Sequence, residues 1–183
     1  MKVIKNNDVI FTHCHSTSVV NALIFAKKKK RKFQVYNTET RPLYQGRKTA
    51  KELSKAKISV TMFVDSALED AISGEGELKK VNKVFLGADA LLKQGIINKV
   101  GSELVSIIAR DNKVPVYIIA DSWKFTKKKI PIEQRKLNEI WKKVPNHVKV
   151  KNPAFEFVRK KYITKIITEY GIMSYDEFLR KMK

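Results

Sequence analysis

The sequence predicts an α/β protein with a doubly wound, mostly parallel sheet in a single domain over residues 1–183. Two observations carry that prediction. Short apolar runs of strand length alternate with stretches of helical spacing over about five units, which calls for a parallel sheet with right-handed crossovers. The apolar runs also end in small, acidic or hydroxyl residues: Cys14 and Ser16, Thr38 and Glu39, Asp65 and Ser66, Asp89, and Asp121 with Ser122. In a parallel sheet all these ends lie along one edge, where ligands bind at the topological switch point. The architecture is therefore Rossmann-like.

Val9–Thr12 is the first strand, and His13-Cys14-His15-Ser16 follows it. Thr17-Ser18 opens a helix through Val19, Val20, Leu23 and Ala26, which runs into the basic stretch Lys27–Lys32. Cations favour a helix C-terminus, so a solvated helix end explains that run, with a nucleic-acid patch as the other reading. Phe33–Tyr36 is the second strand, and Gln45-Gly46 turns the chain into a helix with Ala50 and Leu53 inward. Ile58–Val64 is the third strand, followed by a brief helical piece through Ala67, Leu68, Ala71 and Ile72. Val84-Phe85-Leu86 is the fourth, ending in Gly87-Ala88-Asp89, and a helix from Ser102 to about Asn112 returns to a fifth strand, Val114–Ala120. Beyond it the expectations are a helix over Glu133–Trp141, a strand at Val148-Lys149-Val150, and helical spacing at Tyr162, Ile163, Ile166 and Ile167 closed by Gly171. Ser174 and Glu177 form a capping-box pattern for a last short helix.

Composition bounds the chemistry. Hydrophobic residues at 43% and charged residues at 31% fit a globular chain with a proper core. No apolar run approaches the ~18 residues of a membrane span, and the polar N-terminus has no signal-peptide pattern. The single Cys14 excludes an intramolecular disulfide, which leads to the expectation of a reducing, cytoplasmic location. The net charge of +20 invites a nucleic-acid partner, yet 31 of the 38 basic residues are Lys and only 7 are Arg, the better reader of bases. Nucleic-acid binding is thus expected to be only non-specific, and an anionic small molecule is drawn by the same field.

Metal-ligand spacings, the Walker pattern and G-x-G-x-x-G are absent, so neither a metal nor a nucleotide cofactor is expected. His13-Cys14-His15 alternates across a strand end and does not form a ligand cluster. The remaining pair is Cys14 and Asp89, at the carboxyl ends of two strands of one sheet. A neutral thiol and a carboxylate make an acid–base pair. Next to them, Asn98-Lys99-Val100-Gly101 enters a helix, where first-turn amides and a lysine suit an anion. The plainer reading makes Cys14 a small core residue, Asp89 a strand end and Gly101 a turn.

Thr12-His13-Cys14-His15-Ser16, Thr38-Glu39-Thr40-Arg41-Pro42 with Gln45-Gly46, Asp65-Ser66-Ala67, Gly87-Ala88-Asp89, Asn98-Lys99-Val100-Gly101 and Asn152-Pro153-Ala154-Phe155 occur in this order. In these motifs the chain resembles the family of ribose-1,5-bisphosphate isomerase, methylthioribose-1-phosphate isomerase and the alpha, beta and delta subunits of translation initiation factor 2B. The resemblance runs from about Asp8 to Ile172. It implies Cys14 as the acid toward the sugar ring oxygen and Asp89 as the base at the C2 hydroxyl. Asn98 and Lys99 would bind substrate, and so would Gln45, Ser16 and Lys124. It also implies a phosphorylated sugar substrate, no cofactor, and self-association as a homodimer or higher oligomer. The initiation-factor subunits usually lack the cysteine–aspartate pair, which this chain has.

The chain departs from the family pattern in two places. Family members carry a helical domain before the first strand, with arginines that grip a phosphate; here Met1 lies a few residues from that strand. The expectation is that this domain is missing and that a separate chain supplies it. Isomerases usually follow the Asn-Pro motif with Thr-Pro-Pro, whereas this chain has Val158-Arg159-Lys160. Three functions follow as expectations: a sugar-phosphate isomerase, a non-catalytic subunit related to initiation factor 2B, and a general nucleic-acid-binding module.

Overall fold

A computed structural model describes residues 3–182. Ten strands and five α-helices follow one another as β1 (Asp8–Thr12), α1 (Thr17–Lys28), β2 (Phe33–Thr38), α2 (Gln45–Lys55), β3 (Ser59–Phe63), α3 (Leu68–Ser73), β4 (Lys83–Leu86), β5 (Ala90–Leu92), β6 (Gly95–Lys99), α4 (Ser102–Asp111), β7 (Val116–Ile119), β8 (Phe155–Arg159), β9 (Lys165–Thr168), β10 (Gly171–Met173) and α5 (Tyr175–Lys181). Seven strands form one sheet in the order β10-β9-β7-β4-β1-β2-β3. All neighbours pair in parallel except β9 with β10.

The central strands are apolar because both faces are covered. Every residue of β1 is buried, and so are Val84, Phe85 and Leu86 of β4. On one face α1 turns Val19, Val20, Leu23 and Ala26 onto Ile10, Val35 and Phe85. On the other, Ile72, Val105 and Phe178 pack with Phe11, Val84 and Ile118. The order of strands reverses at β1, which has β2 on one side and β4 on the other. The switch-point crevice therefore opens between the carboxyl ends of β1 and β4.

The C-terminal third differs from expectation. Residues Glu133–Trp141 form no α-helix; one 3-10 turn at Leu137–Glu139 remains, and Leu137, Ile140 and Trp141 stay exposed. The segment is held instead by backbone bonds to the Asn-Pro motif, Arg135 N–H to the Asn152 carbonyl (2.9 Å) and Ala154 N–H to the Glu133 carbonyl (2.8 Å). Val148-Lys149-Val150 is not a strand, and Phe155–Arg159 takes that role. The segment Tyr162–Ile167 is a short turn followed by β9, not a helix. Its β-branched run Ile163, Thr164, Ile166, Ile167 and Thr168 suits a pleated strand. The largest addition is a second, three-stranded antiparallel sheet, β5-β6-β8, in which β5 and β6 form a hairpin just after Asp89.

Candidate active site

Cys14 sits in the turn between β1 and α1 in the left-handed region, at φ 66°. A non-glycine residue holds that conformation only when its surroundings fix it. Here its N–H donates to Thr40 Oγ1 (3.0 Å), and its carbonyl accepts from Thr49 Oγ1 (2.8 Å). Thr40 is in turn fixed by Asp65, whose carboxylate accepts the Thr40 and Arg41 amides at 2.9 and 2.7 Å. Two strand-end residues therefore serve as scaffold: Asp65 holds Thr40, and Thr40 holds Cys14.

His13 is scaffold as well. Its Nε2 donates to the Val100 carbonyl (2.8 Å), so its Nδ1 accepts from the Thr38 hydroxyl (2.6 Å). Burial pushes its pKa below 6.5, and the ring stays neutral. His15 bonds Thr49 at 3.1 Å. Among the described residues no group of three His, Cys, Asp or Glu side chains converges as metal ligands.

Asp89 lies on the short link between β4 and β5, its amide bonded to the Ile97 carbonyl (2.8 Å). That contact lines the carboxylate up with Asn98 and Lys99 at the end of β6. Lys99 is only 4% exposed and makes no ion pair among the described residues. Its positive charge acts on Cys14, Asp89 and His13, and on Glu139 as well. Lys124 reaches in from the turn after β7, where its Nζ donates to the Ala88 carbonyl (2.7 Å) beside Asp89. Glu169 pins that turn through the Ser122 amide (3.0 Å) and hydroxyl.

Ser16 caps α1 and faces Gly87 across the crevice. A Cβ on Gly87 would lie 2.5 Å from Ser16 Oγ and 3.9 Å from Asn98 Oδ1, so these three residues share one narrow space. Gly87→Ala is expected to lower Tm, at a cost of about 1–3 kcal/mol for the overpacking, and to displace Ser16. A melting curve within error of wild type would refute that packing. Gln45 begins α2 one turn before Thr49 and so shares its face. Its Oε1 is buried without a hydrogen-bond partner, an acceptor left free for a hydroxyl donor.

The structure brings Cys14, Ser16, Asp89, Asn98, Lys99 and Lys124 together, with Gln45 on the neighbouring helix face. It does not supply the α4 amides. The Glu103 amide donates to Glu156 Oε1 (2.7 Å), and that carboxylate, reaching over from β8, occupies the helix N-terminus. An anion in the crevice would meet Lys99 and not the α4 dipole. No local signal connects Glu156 to Glu103, which is 53 residues away.

Burial pushes the Cys14 thiol from 9.0 up to about 11, with Lys99 acting against the shift. Incomplete hydration of Asp89 raises its carboxyl above 3.8, while Lys124 and Lys99 pull it down. The pair is thus a proton-bearing thiol and a carboxylate of increased basicity. A thiol near 11 presents roughly 100-fold less thiolate at about pH 7 than an ordinary one. Iodoacetamide should therefore label Cys14 slowly at neutral pH, and the rate should climb about tenfold per unit up to about 11. A plateau below about pH 9 would contradict the shift.

A cavity of about 1060 Å³ lies elsewhere, lined by Ile97, Phe125, Phe157 and Leu179 among others. It includes neither Cys14 nor Asp89, so the crevice is marked by its chemistry and not by its volume.

Comparison with known proteins places the fold in a family. The model of the initiation factor 2 subunit family matches residues 1–175. The chain belongs to that family. Its curated relatives include ribose 1,5-bisphosphate isomerase of Methanocaldococcus jannaschii, 36% identical over 178 residues, covering 93% of this chain and 56% of that protein. They also include methylthioribose-1-phosphate isomerase of Thermosipho melanesiensis, 34% identical over 203 residues, covering 99% and 58%. Among solved structures, initiation factor 2B subunit delta from A. fulgidus matches with a TM-score of 0.88 at 30% identity, covering 98% of this chain and 58% of that one. This member of the initiation factor 2 subunit family thus spans a little over half the length of the curated relatives it matches. Among the described residues no helix is long and apolar enough to cross a membrane.

Proposed function

We propose that this chain carries the acid–base site of a sugar-phosphate aldose–ketose isomerase that converts ribose-1,5-bisphosphate to ribulose-1,5-bisphosphate. The observation that supports this best is the meeting of Cys14 and Asp89 at the adjoining ends of β1 and β4, with the charge of the buried Lys99 acting on both. A sugar phosphorylated at C1 has no free aldehyde, so its ring must open on the protein. The Cys14 thiol gives its proton to the ring oxygen as the bond from C1 to that oxygen breaks. The C2 hydrogen then passes with its electron pair to C1, and Asp89 takes the proton of the C2 hydroxyl as C2 becomes a ketone. Proton return from Asp89 to the Cys14 thiolate closes the cycle. Each proton transfer of this kind contributes ~10²–10⁴ in rate.

Ribose-1,5-bisphosphate is favoured over methylthioribose-1-phosphate because Lys99 and Lys124 offer two fixed cations for two phosphates. Turnover of the two sugars side by side tests the assignment. A higher kcat/KM for the bisphosphate is expected, and a preference for the methylthio sugar would reassign the substrate. The likeness to initiation factor 2B subunit delta supports a second reading, a non-catalytic subunit. That reading requires neither sugar to be turned over.

A further inference from the structure

Away from the crevice, at the opposite edge of the sheet, the structure gathers a band of cations outside the candidate site. In a parallel sheet helices end and strands begin along one edge. The strands β3-β2-β1-β4-β7 are consecutive neighbours, so the connections that lead into them lie side by side over about 20 Å. Every one of these connections is basic. Lys5 precedes β1, the run Lys27–Lys32 leads into β2, Lys57 into β3, Lys79 and Lys80 into β4, and Lys113 into β7. All but Lys27 are exposed, and none of them pairs with a carboxylate among the described residues. The connections are also tied into one surface: Asn7 N–H donates to the Lys32 carbonyl (2.7 Å), and Lys32 N–H donates to Asn6 Oδ1 (3.0 Å). Glu69, which accepts from Asn112 Nδ2 beside Lys113 (3.0 Å), Glu75 and Glu77 are acids near this edge without a cationic partner among the described residues, while Asp8 is neutralised by Lys83 at 2.8 Å and Asp111 by Arg110 at 2.9 Å.

Backbone conformation supplies a second, independent observation. The helices α1, α2 and α4 end in the same way, with an amide reaching back five residues: Arg31 to Ala26 (3.1 Å), Ile58 to Leu53 (3.1 Å) and Val114 to Ala109 (2.7 Å). That closure puts the preceding residue in the left-handed region, where glycine or asparagine is favoured. This chain has Lys30, Lys57 and Lys113 there, at φ 60°, 57° and 59°. A single cation satisfies a helix dipole from any position in the last turn. Lysine at the one position where its backbone is disfavoured points to a use for the charge outside the helix.

We propose that this edge is a docking surface for the phosphate backbone of duplex nucleic acid, on the side of the sheet opposite the Cys14–Asp89 crevice. The band is as broad as a duplex, about 20 Å across five neighbouring strands. Of the exposed large hydrophobic residues only Phe25 lies in these segments, so it lacks the apolar anchors of a membrane-surface site. Lysine point charges dominate the band, with Arg31 its single arginine, which makes the contact independent of sequence.

The test is fluorescence anisotropy with labelled RNA and DNA duplexes of about 20 base pairs between 50 and 200 mM salt. Two triple variants that lose the same net charge are compared: Lys30→Gly/Lys57→Gly/Lys113→Gly in the band, and Lys142→Gly/Lys143→Gly/Lys149→Gly on the exposed connection before β8. The band variant should bind both duplexes about 10-fold or more weakly than the control variant, and its log–log salt slope should fall by about 3. Its Tm should rise as the left-handed positions gain glycine, so the loss of binding cannot come from unfolding. Equal weakening by both variants would overturn the proposal and leave only net charge. Tighter binding of the wild type to phosphatidylserine–phosphatidylcholine vesicles than to either duplex would overturn it as well.

Discussion

Asp89→Asn is expected to abolish conversion of ribose-1,5-bisphosphate while leaving the fold intact, and Cys14→Ser should do nearly the same. The amide of Asn cannot take a proton from the C2 hydroxyl, and Asp89 is exposed, with its backbone bond to Ile97 unaffected by the change. Loss of a positioned acid or base typically costs ~10²–10⁴ in rate. Serine at position 14 keeps both backbone contacts, to Thr40 and Thr49, because neither involves the side chain. It replaces a thiol near 11 by an alcohol that is far less acidic, so proton delivery to the ring oxygen fails. Circular dichroism and kcat measured on the same preparations check both claims. Near-wild-type kcat in either variant would remove that residue from the chemistry.

Lys99→Met should separate binding from stability. A buried cation without an ionic partner is costly to the fold, and an apolar side chain of similar length relieves that cost, so Tm should rise. The same change removes the fixed charge that faces a substrate phosphate. Charge-assisted contacts of this kind are worth ~2–5 kcal/mol, so kcat/KM should fall by about two orders of magnitude or more. Thermal melts alongside steady-state kinetics provide the check. A lower Tm with unchanged kcat/KM would mean that Lys99 is a structural residue.

Much of this site could be read from the sequence, for a physical reason. In a parallel sheet the residue that follows each apolar run falls on the same edge, so Cys14 and Asp89 could be brought together before their strands were known to be neighbours. Elements with local signals were equally clear, among them the Ser174 capping box. What could not be read depended on distant partners. The hairpin β5-β6 is too short to show a period, and β8, which completes its sheet, begins 56 residues after β6 closes. Glu156 displaces any ligand from the α4 amides through a bond that no local pattern encodes. Asp65 looked like a member of the site for the same reason as Asp89, yet its carboxylate is spent on the Thr40 and Arg41 amides. The segment Tyr162–Ile167 failed differently: its apolar spacing fits a helix or a strand, and the neighbouring β7 decided for the strand.

The most direct measurement is a carbon-13 NMR time course with ribose-1,5-bisphosphate labelled at C1. It would use the protein purified under native conditions with any chain that accompanies it, beside the same preparation carrying Asp89→Asn. The wild type should move the label from an anomeric carbon to a phosphorylated CH₂ next to a ketone, and the variant should leave it in place. An anomeric signal that persists with the wild type, or one that disappears equally fast with Asp89→Asn, would contradict an acid–base site at Cys14 and Asp89.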